Sequence, residues 1–150
     1  MGLQSKKSSL SHLVIPAEAK YLPKIRDFAV KYAKKNGLSR KKLNSLQISI
    51  DEICSNIVLY AYEGMEPGDI EVNIRKDDDC VIVEIIDSGI KFDYSTIEKP
   101  DLEKYVNEKK RGGLGFHLVK KLNDEVSYRR IGHQNVLTIL TKVHESAESV

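Results

Sequence analysis

The chain has 150 residues, 41% hydrophobic and 31% charged, which is ample for one hydrophobic core and short for two. Its 24 basic residues are offset by 22 acidic ones, so the formal net charge of +2 gives no broad electrostatic case for nucleic-acid binding. Apolar runs such as Val81–Ile86 are too short to cross a bilayer, and the start Met1–Lys7 has no apolar signal core, so a cytoplasmic protein without membrane attachment is expected.

Residues 1–9 are polar and read as a flexible N-terminus. Leu10–Ile15 then form a first strand, closed by Pro16. Over Ala17–Asn36 the positions Leu22, Ile25, Phe28, Ala29, Tyr32 and Ala33 recur at helical spacing, and Gly37 follows as a stop. Ser39 is an N-cap for a second helix through Leu43, Leu46, Ile50, Ile53, Ile57 and Ala61, ending before Gly64 and Pro67. Ile70, Val72 and Ile74 alternate with Glu71, Asn73 and Arg75, and Val81–Ile86 follow after a turn at Asp77-Asp78-Asp79, which predicts a hairpin. The stretch Asp93–Arg111 is polar and suits a mobile cover with a short helix over Asp101–Glu108. A helix over Leu114–Leu122 and the strands Val126–Ile131 and Val136–Val143, joined at Gly132-His133-Gln134, complete the pattern; residues 144–150 read as a flexible C-terminus. Neither a doubly wound parallel sheet nor an all-β sandwich has this order. It predicts one α/β domain over residues 10–143, a two-layer sandwich with a mixed, mostly antiparallel sheet and helices on one face. Cys54 and Cys80 lack metal-type spacing and read as reduced packing residues.

Glycines concentrate at Arg111-Gly112-Gly113-Leu114-Gly115-Phe116-His117-Leu118-Val119, at the mouth of an apolar helix. They permit a tight turn and bring unhindered N–H groups to a helix N-terminus, where the helix dipole favours a phosphate; an ordinary glycine-rich capping loop is the alternative. Glu52 and Asn56 are four apart on the second helix and share a face. A carboxylate there can take a proton from a hydroxyl, and a carboxamide oxygen is a neutral ligand for Mg²⁺; a solvated polar face is the alternative. Asp87 ends an apolar strand just before Gly89, with Phe92 close behind. An ionised carboxylate at that point accepts a hydrogen bond from an exocyclic amine such as that of adenine, Gly89 permits close approach of the base, and a plain Asp-Ser-Gly turn is the alternative.

Together these stretches resemble the histidine-kinase-like (GHKL) ATPase superfamily. Asp51-Glu52-Ile53-Cys54-Ser55-Asn56-Ile57-Val58-Leu59-Tyr60-Ala61-Tyr62 resembles its N box, Asp87-Ser88-Gly89-Ile90-Lys91-Phe92-Asp93 its first glycine box, and Arg111–Val119 its second. The short single-domain format, the Asp-x-Gly-x-x-Phe-Asp form and the closing Asp124-Glu125-Val126-x-Tyr128 are similar to the anti-sigma-factor serine/threonine kinases, over Leu10–Val143. The resemblance implies that Glu52 is the general base, Asn56 the Mg²⁺ ligand and Asp87 the adenine-reading acid. It gives Gly112, Gly113, Leu114 and Gly115 a phosphate-facing backbone, Arg111 a charge-partner role, and Thr138 a place behind the adenine pocket. Tyr60 stands where many relatives carry His.

The function implied is transfer of the ATP γ-phosphoryl group, with Mg²⁺, to a Ser or Thr of an anti-anti-sigma (STAS-type) protein, controlling a sigma factor by partner switching, in a homodimer that binds no nucleic acid. A nucleotide-gated module that sequesters its partner without phosphorylating it is the rival reading. A P-loop is excluded by the lack of Gly-x-x-x-x-Gly-Lys-Ser/Thr, and a dinucleotide site by the missing third glycine and preceding strand. His12, His117, His133 and His144 are scattered without ligand spacing.

Overall fold

A computed structural model of the chain describes residues 10–92 and 113–144. The tails 1–9 and 145–150, the cover expected over 93–111 with its expected helix at 101–108, and Arg111 and Gly112 lie outside the described residues. Strand β1 (Ser11–Pro16) is followed by a 3-10 turn at Ala19–Tyr21 and helix α1 (Leu22–Lys35). Helix α2 (Arg40–Asn56) runs into a π-helical turn, Ile57–Ala61. Strands β2 (Asp69–Asp77) and β3 (Cys80–Asp87), helix α3 (Gly113–Leu122), and strands β4 (Glu125–Ile131) and β5 (Gln134–Lys142) follow.

Local chemistry sets the helix ends. Pro23 needs no helical N–H partner in the first turn, so α1 begins there instead of at Ala17, where the sequence pattern starts. At its far end Leu38 N donates to Ala33 O and Gly37 N to Lys34 O, with Gly37 at φ +98°. That pair of bonds uses up carbonyls that α1 would otherwise leave open. Ser39 caps α2, its Oγ accepting from Lys42 N at 3.3 Å. The second helix differs from expectation in its last turn, which widens into the π form.

The sheet has five strands in the order β1-β2-β3-β5-β4. Every neighbouring pair is antiparallel, a stricter arrangement than the mixed sheet expected. Period-2 alternation turns Ile70, Val72, Ile74, Val81, Val83, Ile85, Leu137 and Ile139 toward Ile25, Ala29, Ala33, Leu46, Ile50 and Ile53 of the helices, and the core lies between these two layers. Val119 of α3 joins the same core. Asp87, the last residue of β3, is paired with Ile70 on one side and Asn135 on the other. Among the described residues, no helix is long and apolar enough to cross a membrane.

Candidate nucleotide site

Helix α2 presents Ser49, Glu52 and Asn56 at spacings of three and four, which makes them one stripe along its surface. Buried Ser49 meets the end of α3, accepting from Asn123 Nδ2 at 2.7 Å while donating to Ser45 O at 2.7 Å. Nearby, Lys42 Nζ lies 3.4 Å from Asp124 Oδ2. These contacts fasten the C-terminal end of α3 to α2 between its first turn and its middle, and the two helices pack together. The helix therefore flanks the stripe that carries Glu52 and Asn56.

Both of those side chains are half-buried. Among the described residues neither has a hydrogen bond or ion pair. Asp51, by contrast, is held by Arg26 of α1 at 3.3 Å. Adjacent carboxylates thus differ: Asp51 braces the helix layer, and Glu52 has no partner among the described residues.

Asp87 is only 6% exposed. Its Oδ1 accepts from Gly89 N at 2.9 Å and from Asn135 Nδ2 at 2.8 Å; among the described residues no bond falls on Oδ2. Burial pushes the carboxyl above its ordinary value, while the bonds from Asn135 and Gly89 and the charge of Arg130 pull it back. The same carboxylate is felt by Cys54 on α2, whose thiol is raised first by burial and then by the charges of Asp51 and Asp87. The end of β3 and the last turn of α2 are therefore electrostatic neighbours. A reactive role for Cys54 is disfavoured by that raised thiol, as the packing reading of the sequence implies.

The loop after β3 is tied down at several points. Ile90 N donates to Ala61 O at 2.8 Å, and the Tyr62 hydroxyl accepts from Ser88 N at 2.9 Å while donating to Asp69 O at 2.6 Å. A Cβ on Gly89 would come within 2.2 Å of Ala61 O. The glycine is thus required by the backbone of the π turn, a demand additional to the close approach of a base expected from the sequence. Phe92 N donates to Tyr128 Oη at 3.2 Å and Asn135 Oδ1 at 3.3 Å, and the Phe92 and Tyr128 rings lie 5.8 Å apart.

The fold accordingly brings Asp87, Gly89 and Phe92 together at one end of the sheet, linked through Ala61 and Tyr62 to the helix that carries Glu52 and Asn56. Gly113, Leu114 and Gly115 form the opening turn of α3. Thr138 is not part of this group. It pairs with Glu84 and Ser127, three residues along β5 from Asn135, and so lies on the opposite face of the sheet from Asp87. Asn135 and Arg130 were not legible as site residues, because only the β3–β5 and β4–β5 registers reveal that they adjoin Asp87.

Residues 15–141 match the family of the histidine kinase-like ATPase domain. Proteins named serine-protein kinase RsbW from Bacillus mycoides and Bacillus cereus are each 29% identical over 140 residues, covering 91% of this chain and 85% of theirs. In fold, the chain is similar to the RsbU and RsbW domains of a Mycobacterium tuberculosis protein, with a TM-score of 0.62 and 16% identity, over 89% of this chain and 32% of that one. It is also similar to the histidine kinase domain of a blue-light activated kinase from Erythrobacter litoralis, with a TM-score of 0.55 and 15% identity, over 86% of this chain and 62% of that one. This chain thus spans about a third of the first solved structure and under two thirds of the second. The match over nearly the whole described fold, with its antiparallel sheet and helix-borne polar stripe, means that the chain belongs to the histidine kinase-like ATPase family.

Proposed function

We propose that this protein is an ATP-dependent serine/threonine kinase that acts as an anti-sigma factor, phosphorylating a STAS-type anti-anti-sigma partner. The observation that carries this reading is the division of labour on α2, where Asp51 is engaged by Arg26 and half-buried Glu52 has no partner among the described residues. A protein that only gripped nucleotide would have no use for such a carboxylate. The serine-protein kinase relatives support the same class of reaction.

Asp87 Oδ2 would accept from the adenine amine, and the amide groups of Gly112, Gly113, Leu114 and Gly115 at the mouth of α3 would face the phosphates, with Arg111 as their charge partner. Asn56 would hold Mg²⁺ through its side-chain oxygen, and the ion would offset phosphate charge. Glu52 would take the proton from the partner's Ser or Thr hydroxyl as that oxygen bonds to the γ-phosphorus and the bond to ADP breaks. The working unit is a single domain over residues 10–143, a cytoplasmic homodimer that exchanges a STAS-type protein for a sigma factor.

The test is incubation of the protein with Mg·ATP and a candidate STAS-type protein from the same organism, followed by intact-mass measurement. A gain of about one phosphate on the STAS protein is expected. Nucleotide-dependent capture of that protein with no mass change would instead identify a sequestering module.

A further inference from the structure

Among the described residues, Asn135 makes five side-chain hydrogen bonds at this end of the sheet. Its Nδ2 donates to Asp87 Oδ1 and to Ile90 O, each at 2.8 Å. Its Oδ1 accepts from Tyr128 Oη at 2.5 Å, Arg130 Nη1 at 3.2 Å and Phe92 N at 3.3 Å. Arg130 Nη1 also reaches Gly89 O at 2.8 Å, and its Nε reaches Gly132 O at 3.2 Å. Both ends of the amide are thus specified, since its oxygen faces donors and its nitrogen faces acceptors. A flipped amide would set its NH₂ against the Arg130 guanidinium and its oxygen against the Asp87 carboxylate.

From this geometry we infer that Asn135, locked by Tyr128 and Arg130 of β4, is a positioning residue that holds the Asp87 carboxylate so that one oxygen is spent inside the protein and the other faces a purine amino group. The inference rests on the nucleotide reading proposed above. It makes the β4–β5 hairpin a determinant of base selectivity through Asp87, with no need for Asn135 to touch the base. Two effects act together. The bond to Oδ1 fixes the plane of the carboxylate and the direction of Oδ2. Donation from Asn135, with the nearby Arg130 charge, also favours the ionised form against the upward push of burial. An ionised carboxylate can only accept, so it suits the amine of a 6-aminopurine and opposes the carbonyl of a 6-oxopurine. Among the described residues, the titratable groups sensing Asp87 are Arg130, Tyr62 and Cys54.

The experiment measures affinity for ATP and for inosine triphosphate, in Mg²⁺ and across a pH series, for the wild type and for Asn135→Leu, Tyr128→Phe and Asp87→Ala. Wild type is expected to favour ATP by about tenfold or more. Asn135→Leu should lose roughly tenfold in ATP affinity and change its affinity for inosine triphosphate by less than about threefold. Its ATP binding should also begin to fail at higher pH on acidification, because Asp87 without the Asn135 donor protonates sooner. Tyr128→Phe should shift both readouts in the same direction by less, and it decides the matter if Asn135→Leu does not fold. An unchanged ATP preference and pH profile in a folded Asn135→Leu, with the preference lost in Asp87→Ala, would overturn the positioning role and leave the nucleotide site standing. Wild-type selectivity in Asp87→Ala would overturn the nucleotide reading, and the role of Asn135 with it.

Discussion

The amide of Ile90 donates to the carbonyl of Ala61 at 2.8 Å, which fastens the loop after β3 to the turn that follows Glu52 and Asn56. Gly89 is pressed into that junction, where an added Cβ would meet the Ala61 carbonyl oxygen at 2.2 Å. Backbone cannot swing aside as a flexible side chain would. Gly89→Ala should therefore cost about 1–3 kcal/mol of stability, as overpacking does, and should also weaken nucleotide binding by displacing Asp87. Urea unfolding and calorimetric titration check the two effects; a variant as stable as wild type would show that the junction gives way freely.

Tyr62 joins the same junction from another direction, its hydroxyl bridging Ser88 N and Asp69 O. Its ring also fills the space beside Gly68, where a Cβ would fall 2.3 Å from the ring. Tyr62→Phe keeps the ring and removes the bridge, so about 1 kcal/mol should be lost, since solvent can reach both orphaned groups. Burial raises the phenol above its ordinary value of 10.0. The stabilisation linked to its proton is complete below that value and is lost as pH rises through the higher folded one. Alkaline melts should therefore converge for Tyr62→Phe and wild type, and a gap that stays constant into the alkaline range would contradict the bridge.

Much of this arrangement was legible because it is local. The Ser39 cap, the Gly37 stop and the alternation of Ile70, Val72 and Ile74 each express a short-range rule, and the structure follows them. The π turn at Ile57–Ala61 was not legible, since its residues continue the helical pattern and its Ala61 carbonyl meets Ile90, far along the chain. Thr138 illustrates the same limit. Choosing a strand residue to stand behind the adenine pocket requires the register of β3 on β5, and a shift of odd length moves the choice to the other face. The register sets Asn135 beside Asp87.

Glu52→Gln preserves the shape of the side chain and removes its ability to take a proton. Phosphotransfer to the proposed STAS-type partner should fall by about 10²–10⁴, with ATP affinity within about threefold of wild type. The measurement is single-turnover labelling beside a nucleotide titration. Undiminished labelling would remove Glu52 from the role of base.

Asn56→Ala should act on binding before chemistry. Loss of one neutral oxygen ligand is expected to weaken ATP affinity in Mg²⁺ by roughly tenfold, and to change it far less when EDTA replaces the metal. Equal losses with and without Mg²⁺ would make Asn56 a contact to the nucleotide itself.

Asp87→Asn separates stability from recognition. Asparagine can keep Oδ1 as the acceptor for Gly89 N and Asn135 Nδ2, and it places an NH₂ where the ligand-facing Oδ2 stood. Because burial raises the wild-type carboxyl, its proton-linked stabilisation is present in acid and is lost as pH climbs through the folded value. The neutral amide has no such loss, so the variant should melt higher than wild type near neutrality, and the advantage should shrink as pH falls toward the ordinary Asp value of 3.8. At the same time the NH₂ donor should oppose the 6-amino group of ATP and accept the carbonyl of inosine triphosphate, reversing the order of the two affinities. Melting curves across pH and paired titrations read both effects. A variant that melts lower at neutral pH would mean that the ionised carboxylate is stabilised at this site by more than Asn135, Gly89 and Arg130 supply, and an unreversed preference would mean that Oδ2 does not face the base.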